Sequence, residues 1–223
     1  MVESKVEAQP VETTLYSLSR TPPAPAADPE RREGERHMTL YRVGSIIVED
    51  RRELCLIKNI SAGGMMIRLY CNIAEGTPLT VELKSGHPIT GKISWIRDHH
   101  AGISFDQSID VIDILSSAMT GPRPRMPRIE THCHATLREG ANVFRVKTCD
   151  ISQGGVKIQC DAVLSQGADV VVTLPGLEPL RGIACWCEDG FAGINFNRLI
   201  PLGELVSWLQ QLREIDQRRG KVA

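Results

Sequence analysis

Two short polar stretches of this chain have the side chains best suited to recognise a ligand. Each has the pattern [Asp/Asn]-x-Ser-x-x-Gly, and the residues that define the two copies are Asn59, Ser61 and Gly64, then Asp150, Ser152 and Gly155. Side chains of Asp, Asn and Ser bond to nearby backbone groups and favour turns. The closing glycine allows a positive φ and the close approach of a ligand or another segment. Each stretch is therefore predicted to be a turn that presents polar groups at the end of a strand.

Arginine residues are clustered ahead of both turns. The clusters contain Arg31, Arg32 and Arg36, then Arg123, Arg125 and Arg128. The last arginine of each cluster precedes its turn by 23 residues in the first copy and by 22 in the second. A guanidinium group binds phosphate through two parallel hydrogen bonds and also stacks on a purine face. The arginines are therefore candidate residues for local anion binding.

The chain carries an internal repeat with an offset of 91 residues. Three further landmarks keep the offset between the two turns, namely Trp95 with Trp186, Gly102 with Gly193 and Phe105 with Phe196. A fixed period over several landmarks indicates a duplicated fold unit. We expect the two tryptophans to anchor the barrels predicted below.

Together these motifs resemble the PilZ domain family, over roughly residues 30 to 200 and in two tandem copies. The resemblance implies a small β-barrel that binds the bacterial second messenger cyclic di-GMP. It also implies roles for the site residues. The arginines would bind the phosphates, Asn59 or Asp150 would accept from the guanine edge, the serines would join that network, and Gly64 and Gly155 would let the ligand approach the backbone.

Short alternating segments separated by turns predict a mainly β protein. We expect two tandem six-stranded antiparallel β-barrels, each followed by a C-terminal helix. The first helix is predicted over 106–119, with Asp106 as a candidate N-cap, and the second over 202–217. The predicted domains are a flexible tail at 1–29, a first PilZ-like domain at 30–119 and a second at 120–223 with the C-terminal helix.

Each copy departs from the family pattern. Glu33 and Glu35 lie among the arginines of the first copy, where they can repel phosphate or pair with the arginines. In the second copy Pro124 occupies the position four residues before Arg128, so Arg123 and Arg125 either replace the missing arginine or the site is degraded. The first copy has the more intact motif, which favours it as the nucleotide-binding copy.

Net charge, aromatic content and the length of apolar runs argue against several classes of binding partner. The formal charge of the 223 residues is −1, and aromatic residues make up 4% of the chain, which argues against nucleic-acid binding. No apolar run reaches the ~20 residues of a membrane-spanning helix, so no membrane insertion is expected. Seven cysteines, without a secretory leader, predict reduced thiols in the cytoplasm.

No catalytic set is visible, because the chain lacks a nucleophile elbow, a P-loop and a Rossmann glycine pattern. We therefore predict that the protein is not an enzyme. The chain also contains residue types that bind zinc, namely His132, Cys133, His134, Cys185 and Cys187. Their spacing is not that of a zinc knuckle, so we expect the cysteines to be buried thiols instead. We expect His99 and His100 to be solvated in a hairpin loop. No cofactor or metal is predicted.

Two functions remain open at this stage. The first is a cyclic di-GMP receptor that changes conformation or downstream protein partner on binding. The second is a nucleotide-independent adaptor built on degenerate barrels, in which apolar helix faces carry the protein contacts.

Overall fold

The computed structural model describes residues 38–83, 88–114 and 126–220. Its first half is a closed antiparallel barrel with the strand order β1-β2-β3-β6-β5-β4. The strands are β1 (Met38–Val48), β2 (Arg51–Ser61), β3 (Gly64–Arg68), β4 (Pro78–Glu82), β5 (Pro88–Arg97) and β6 (His100–Phe105). This confirms the first predicted barrel.

The second half repeats the barrel. Its strands are β7 (Ile129–Glu130), β8 (His134–Glu139), β9 (Asn142–Ser152), β10 (Gly155–Gln159), β11 (Asp169–Thr173), β12 (Leu180–Glu188) and β13 (Phe191–Phe196). Their order is β10-β13-β12-β11-β8-β9, and pairing of β10 with β9 closes the ring. The additional short strand β7 pairs with β9. The two halves therefore share one strand order, as the duplication predicts.

One strand of the first barrel is split in the second. Residues 38 and 39 of β1 pair with Ile60 and Asn59, and residues 129 and 130 of β7 pair with Ile151 and Asp150 at the same offset. Between β7 and β8, the Thr148 hydroxyl accepts a hydrogen bond from the Cys133 N–H at 3.0 Å. Strands β7 and β8 together thus take the place of β1.

Each barrel encloses its own apolar core, because alternate residues of every strand point inward. The fully buried side chains of the first barrel include Ile46, Ile60, Ile67, Val81 and Ile93. Those of the second include Leu137, Ile151, Val156, Ile158, Leu174 and Ile194. Removing this apolar surface from water is the main favourable contribution to folding of each barrel.

A short helix follows the first barrel, and its start differs from the prediction. The helix α1 begins at residue 111 and is described to residue 114. The carboxylate of Asp110 accepts hydrogen bonds from the N–H groups of Ile112 and Asp113 at 2.9 and 3.0 Å. Asp110, and not Asp106, is therefore the N-cap, and most of the remaining predicted helix lies outside the described residues.

The C-terminal helix α2 (Leu202–Gly220) packs on the second barrel. Leu205, Trp208 and Leu209 are buried in that core, and the Trp208 indole N–H donates to the Pro175 carbonyl at 2.7 Å. This confirms the helix predicted from apolar periodicity. Within the described parts of the chain, no helix combines the length and apolar character needed to cross a membrane.

The two barrels contact each other. Leu54 belongs to β2 of the first barrel, yet it is only 4% exposed and lies in the core cluster of the second barrel. From α2, Arg213 forms an ion pair with Glu53, and the Gln210 amide donates to the Tyr70 carbonyl. The predicted tail, 1–29, lies outside the described residues, and the domain boundaries stay predictions.

Candidate functional site

The two motif turns occupy equivalent places in the two barrels. One joins β2 to β3, and the other joins β9 to β10. The Ser61 hydroxyl donates to the Gly64 carbonyl at 3.1 Å, and the Ser152 hydroxyl donates to the Gly155 carbonyl at 3.3 Å. Each serine therefore braces its own turn. The sequence prediction of two polar turns at strand ends is confirmed.

The closing glycines have a structural reason for their identity. A Cβ atom built on Gly64 would lie 2.3 Å from the Ile103 carbonyl oxygen, and one on Gly155 would lie 2.4 Å from that of Ile194. A backbone atom at this distance leaves no room for a side chain. Glycine is thus required where β3 pairs with β6 and where β10 pairs with β13. The predicted role of these glycines in ligand approach stays a prediction.

The first residue of each motif has a different partner in the two barrels. Asn59 Oδ1 accepts a hydrogen bond from the N–H of Met66 at 3.1 Å. Asp150 Oδ1 accepts one from Arg128 Nη1 at 2.7 Å. Both residues follow an irregularity in the strand pairing. The first barrel thus bonds its neutral amide to backbone, while the second pairs its carboxylate with one of the predicted arginines.

Strand β7 explains how Arg128 reaches Asp150 across 22 positions of sequence. Arg128 directly precedes β7, whose Glu130 is the cross-strand partner of Asp150. The side chains of Arg128 and Asp150 are 39% and 22% exposed, so the pair faces solvent on one side. The other predicted arginines, which are Arg31, Arg32, Arg36, Arg123 and Arg125, lie outside the described residues.

The spacing of tryptophan and glycine, which is the same in the two repeats, reflects direct packing of each indole on its glycine. A Cβ atom on Gly102 would lie 2.0 Å from Nε1 of Trp95, and one on Gly193 would lie 2.1 Å from Nε1 of Trp186. Each indole therefore lies over the backbone of its glycine. At these positions the pairing of β5 with β6 and of β12 with β13 is irregular. Neither ring belongs to a barrel core, and Trp186 remains 36% exposed.

The register places a row of four residues across neighbouring strands of each barrel. In the second barrel the row is Asp150, Lys157, Gly193 and Trp186. In the first it is Asn59, Met66, Gly102 and Trp95. Sequence reasoning did not identify Lys157 as a site residue. The available signal was its position two residues after the closing glycine, where the first copy has methionine.

The cysteines and histidines give no sign of a metal centre. Among the described residues, no three His, Cys, Asp or Glu side chains are grouped so that they could hold a metal ion. All seven cysteines are described and none forms a disulfide. Burial raises the pKa of Cys55 to about 12 and that of Cys71 to about 11, so both thiols are protonated at neutral pH.

The histidine pair of the β5–β6 hairpin is only partly solvated. His99 is exposed at the turn with a φ of 61°. By contrast, Nε2 of His100 is buried and has no hydrogen-bond partner among the described residues. The prediction of two solvated imidazoles is therefore wrong for His100, which is the first residue of β6 and not a loop residue.

Comparison with known proteins identifies one family. The PilZ domain matches twice, at residues 30–117 and 122–211. A search of curated proteins gives no significant match.

Solved structures similar to this chain include three proteins whose matches cover most of its length. PlzA of Borreliella burgdorferi in complex with c-di-GMP is 11% identical, with a TM-score of 0.34, covering 75% of this chain and 86% of PlzA. Escherichia coli YcgR in complex with c-di-GMP is 14% identical, with a TM-score of 0.33 and coverage of 81% and 88%. Bacillus subtilis MotI/DgrA is 14% identical, with a TM-score of 0.31 and coverage of 80% and 94%. These scores are low, so the assignment rests on the family match and on the barrels themselves.

Proposed function

The chain belongs to the PilZ domain family, with two domains in tandem, and from this membership we propose that it is a receptor for cyclic di-GMP. The family match covers both barrels and includes both motif turns. It indicates no catalytic domain, and we propose a non-enzymatic role. As a receptor for an internal second messenger, the protein is expected in the cytoplasm.

The observation that carries the proposal is the pair formed by Arg128 and Asp150. The two motifs that family membership links to the ligand meet here at 2.7 Å, although 22 residues separate them. One Nη atom of the guanidinium contacts Asp150, and an arginine has five N–H donors. The remaining donors are available for a phosphate, while the second oxygen of the carboxylate is available for a guanine N–H edge.

Arg31, Arg32, Arg36, Arg123 and Arg125 complete the proposed arrangement. We propose that they close over the nucleotide from the segments that precede the two barrels. Asn59, Ser61 and Gly64 would form the corresponding site of the first barrel, and Ser152 and Gly155 would belong to that of the second.

The contact between the barrels suggests how binding changes the shape of the protein. Strand β7, which positions Arg128, also borders a cleft of about 380 Å³ opposite Arg51 and Arg52 of the first barrel. A nucleotide that repositions Arg128 would therefore act on the segment that lines the cleft. We propose that binding alters the angle between the barrels and exposes or hides a surface for a downstream protein partner.

Titration calorimetry of the full chain with cyclic di-GMP tests the function. We expect saturable binding, and weaker or absent binding of cyclic di-AMP, since adenine lacks the adjacent N1–H and N2–H donors of guanine, from which a carboxylate accepts two hydrogen bonds. A chain that gives no heat and shows no change in a parallel thermal-shift experiment would contradict the receptor role. That result would favour the alternative, an adaptor built on degenerate PilZ barrels.

A further inference from the structure

We propose that the second barrel is the copy that binds cyclic di-GMP, and that Lys157 is a ligand-binding residue of this site. The inference rests on the proposed receptor function and adds which barrel binds and which cation takes part. It departs from the expectation based on motif completeness, which favours the first copy.

Lys157 lies at the centre of the second-barrel site. On β10 it is directly opposite Asp150 of β9 on one side and Gly193 of β13 on the other. Side chains of directly opposite residues have Cβ atoms roughly 4.5–5.5 Å apart, so Lys157 and Asp150 share one surface. Beside Lys157, the indole of Trp186 lies over the bare backbone of Gly193, so an aromatic ring borders the same surface.

An aromatic ring positions the lysine ammonium group. Nζ of Lys157 lies over the ring of Phe191, 4.6 Å from its centroid. The negative face of the ring attracts the cation and restricts the otherwise flexible side chain. The ammonium is therefore held at the barrel surface and keeps its capacity to donate three hydrogen bonds.

The three charges match the chemistry of a cyclic dinucleotide of guanine. Arg128 and Lys157 lie on opposite sides of Asp150, since β7 and β10 both pair with β9. Two cationic residues thus lie on the strands at either side of Asp150. The cations suit the two phosphates, and the carboxylate suits a guanine edge, which offers two N–H donors.

At the described positions of the first barrel that are equivalent to Lys157 and Asp150, these two charges are absent. Met66 replaces Lys157, and Asn59 replaces Asp150. The Asn59 oxygen is already bonded to the Met66 N–H. A neutral amide whose oxygen is already hydrogen-bonded, next to a thioether, is a poor binding site for a dianionic ligand. Charge and hydrogen bonding therefore both favour the second barrel.

Calorimetry on the full chain tests the role of Lys157, with Lys92→Met as the matched control. Lys92 is exposed on β5 of the first barrel, outside both motif turns. We expect Lys157→Met to raise the Kd for cyclic di-GMP by about tenfold or more and to make the Kd less dependent on ionic strength. Lys92→Met should bind as the parent does, and Lys157→Arg should retain most of the affinity.

Hydrogen exchange of the parent protein locates the binding copy independently of any substitution. Cyclic di-GMP is expected to protect amides of residues 150–159 and to leave residues 59–68 unchanged. Protection of 59–68 alone, or a Lys157→Met variant with the affinity and salt dependence of the parent, would overturn the inference while leaving the receptor function intact. A parent protein that binds no cyclic di-GMP would instead overturn the function on which the inference rests.

Discussion

At the scale of single residues, equivalent positions of the two repeats have acquired different chemistry. Asn59 is satisfied by the backbone N–H of Met66, whereas Asp150 is paired with the side chain of Arg128. A backbone hydrogen bond stabilises the turn of the first barrel without any contribution from a ligand. A solvent-facing ion pair instead leaves donors and acceptors on both partners, which a charged ligand can use.

The family resemblance placed Arg128 and Asp150 among the residues of one predicted site, whereas Lys157 was not among them. The placement of Lys157 depends on the register between β9 and β10, which includes an irregular pairing next to Lys157. Sequence alone does not show which residue lies opposite another when a strand contains an extra residue.

A carboxylate of the first barrel gives a prediction for the dependence of stability on pH. Glu82 accepts two hydrogen bonds from Arg52, both at 2.8 Å, and a third from Ser45 at 3.0 Å. The hydrogen bonds from Arg52 hold its pKa below the ordinary value of 4.5. Stability from this group is therefore fully present above the unfolded-state pKa and is lost as the pH falls through the folded-state pKa.

We expect Glu82→Gln to lower the midpoint of urea unfolding at pH 7 and to have progressively less effect as the pH falls below the ordinary glutamate pKa. Glu178→Gln, at an exposed position, is the control and should match the parent at every pH. Equal effects of Glu82→Gln at neutral and acidic pH would contradict the proposed source of stability.

At the scale of elements, alternating segments predicted the two six-stranded barrels, whereas the first strand of each barrel is irregular or interrupted. In β1, Gly44 and Ser45 interrupt the apolar pattern, yet Ser45 is buried and bonds to Glu82. In the second barrel the same strand is broken into β7 and β8. Long-range pairing stabilises both segments, and local sequence does not report such pairing.

The close approach of Gly64 on β3 to the backbone of β6 gives a prediction with a built-in control. We expect Gly64→Ala to lower the free energy of unfolding by about 1–3 kcal/mol, because its Cβ would meet the Ile103 carbonyl. Gly63→Ala, at the adjacent position, has no atom within 4 Å of the new Cβ and should have little effect. Similar unfolding midpoints for the two variants in denaturant titrations would show that the close approach is not the reason for glycine.

At the scale of the whole molecule, the two barrels are joined by apolar packing and by polar contacts from α2. Leu54 from the first barrel extends the core of the second. Arg213 pairs with Glu53, whose side chain is only 14% exposed. The repeat in the sequence predicted two domains but not this interface, since an interface depends on the mutual orientation of the barrels and not on either barrel alone.

Truncation of Leu54 tests the interface. We expect Leu54→Ala to destabilise the protein by about 2–4 kcal/mol, because it opens a cavity between the barrels. Leu56→Ala, at a half-buried position of the same strand, should cost less. Chemical denaturation followed by tryptophan fluorescence compares the two variants, and an equal loss in both would argue against packing of Leu54 in the second core.

The most direct measurement for the account as a whole is a calorimetric titration of cyclic di-GMP into the full chain and its Arg128→Ala and Arg138→Ala variants. Arg138 is an exposed arginine of β8 in the same barrel, away from the motif turn. We predict that Arg128→Ala weakens binding by about tenfold or more, while Arg138→Ala binds as the parent does. Undiminished binding by Arg128→Ala would contradict the claim that the pair of Arg128 with Asp150 forms the nucleotide site.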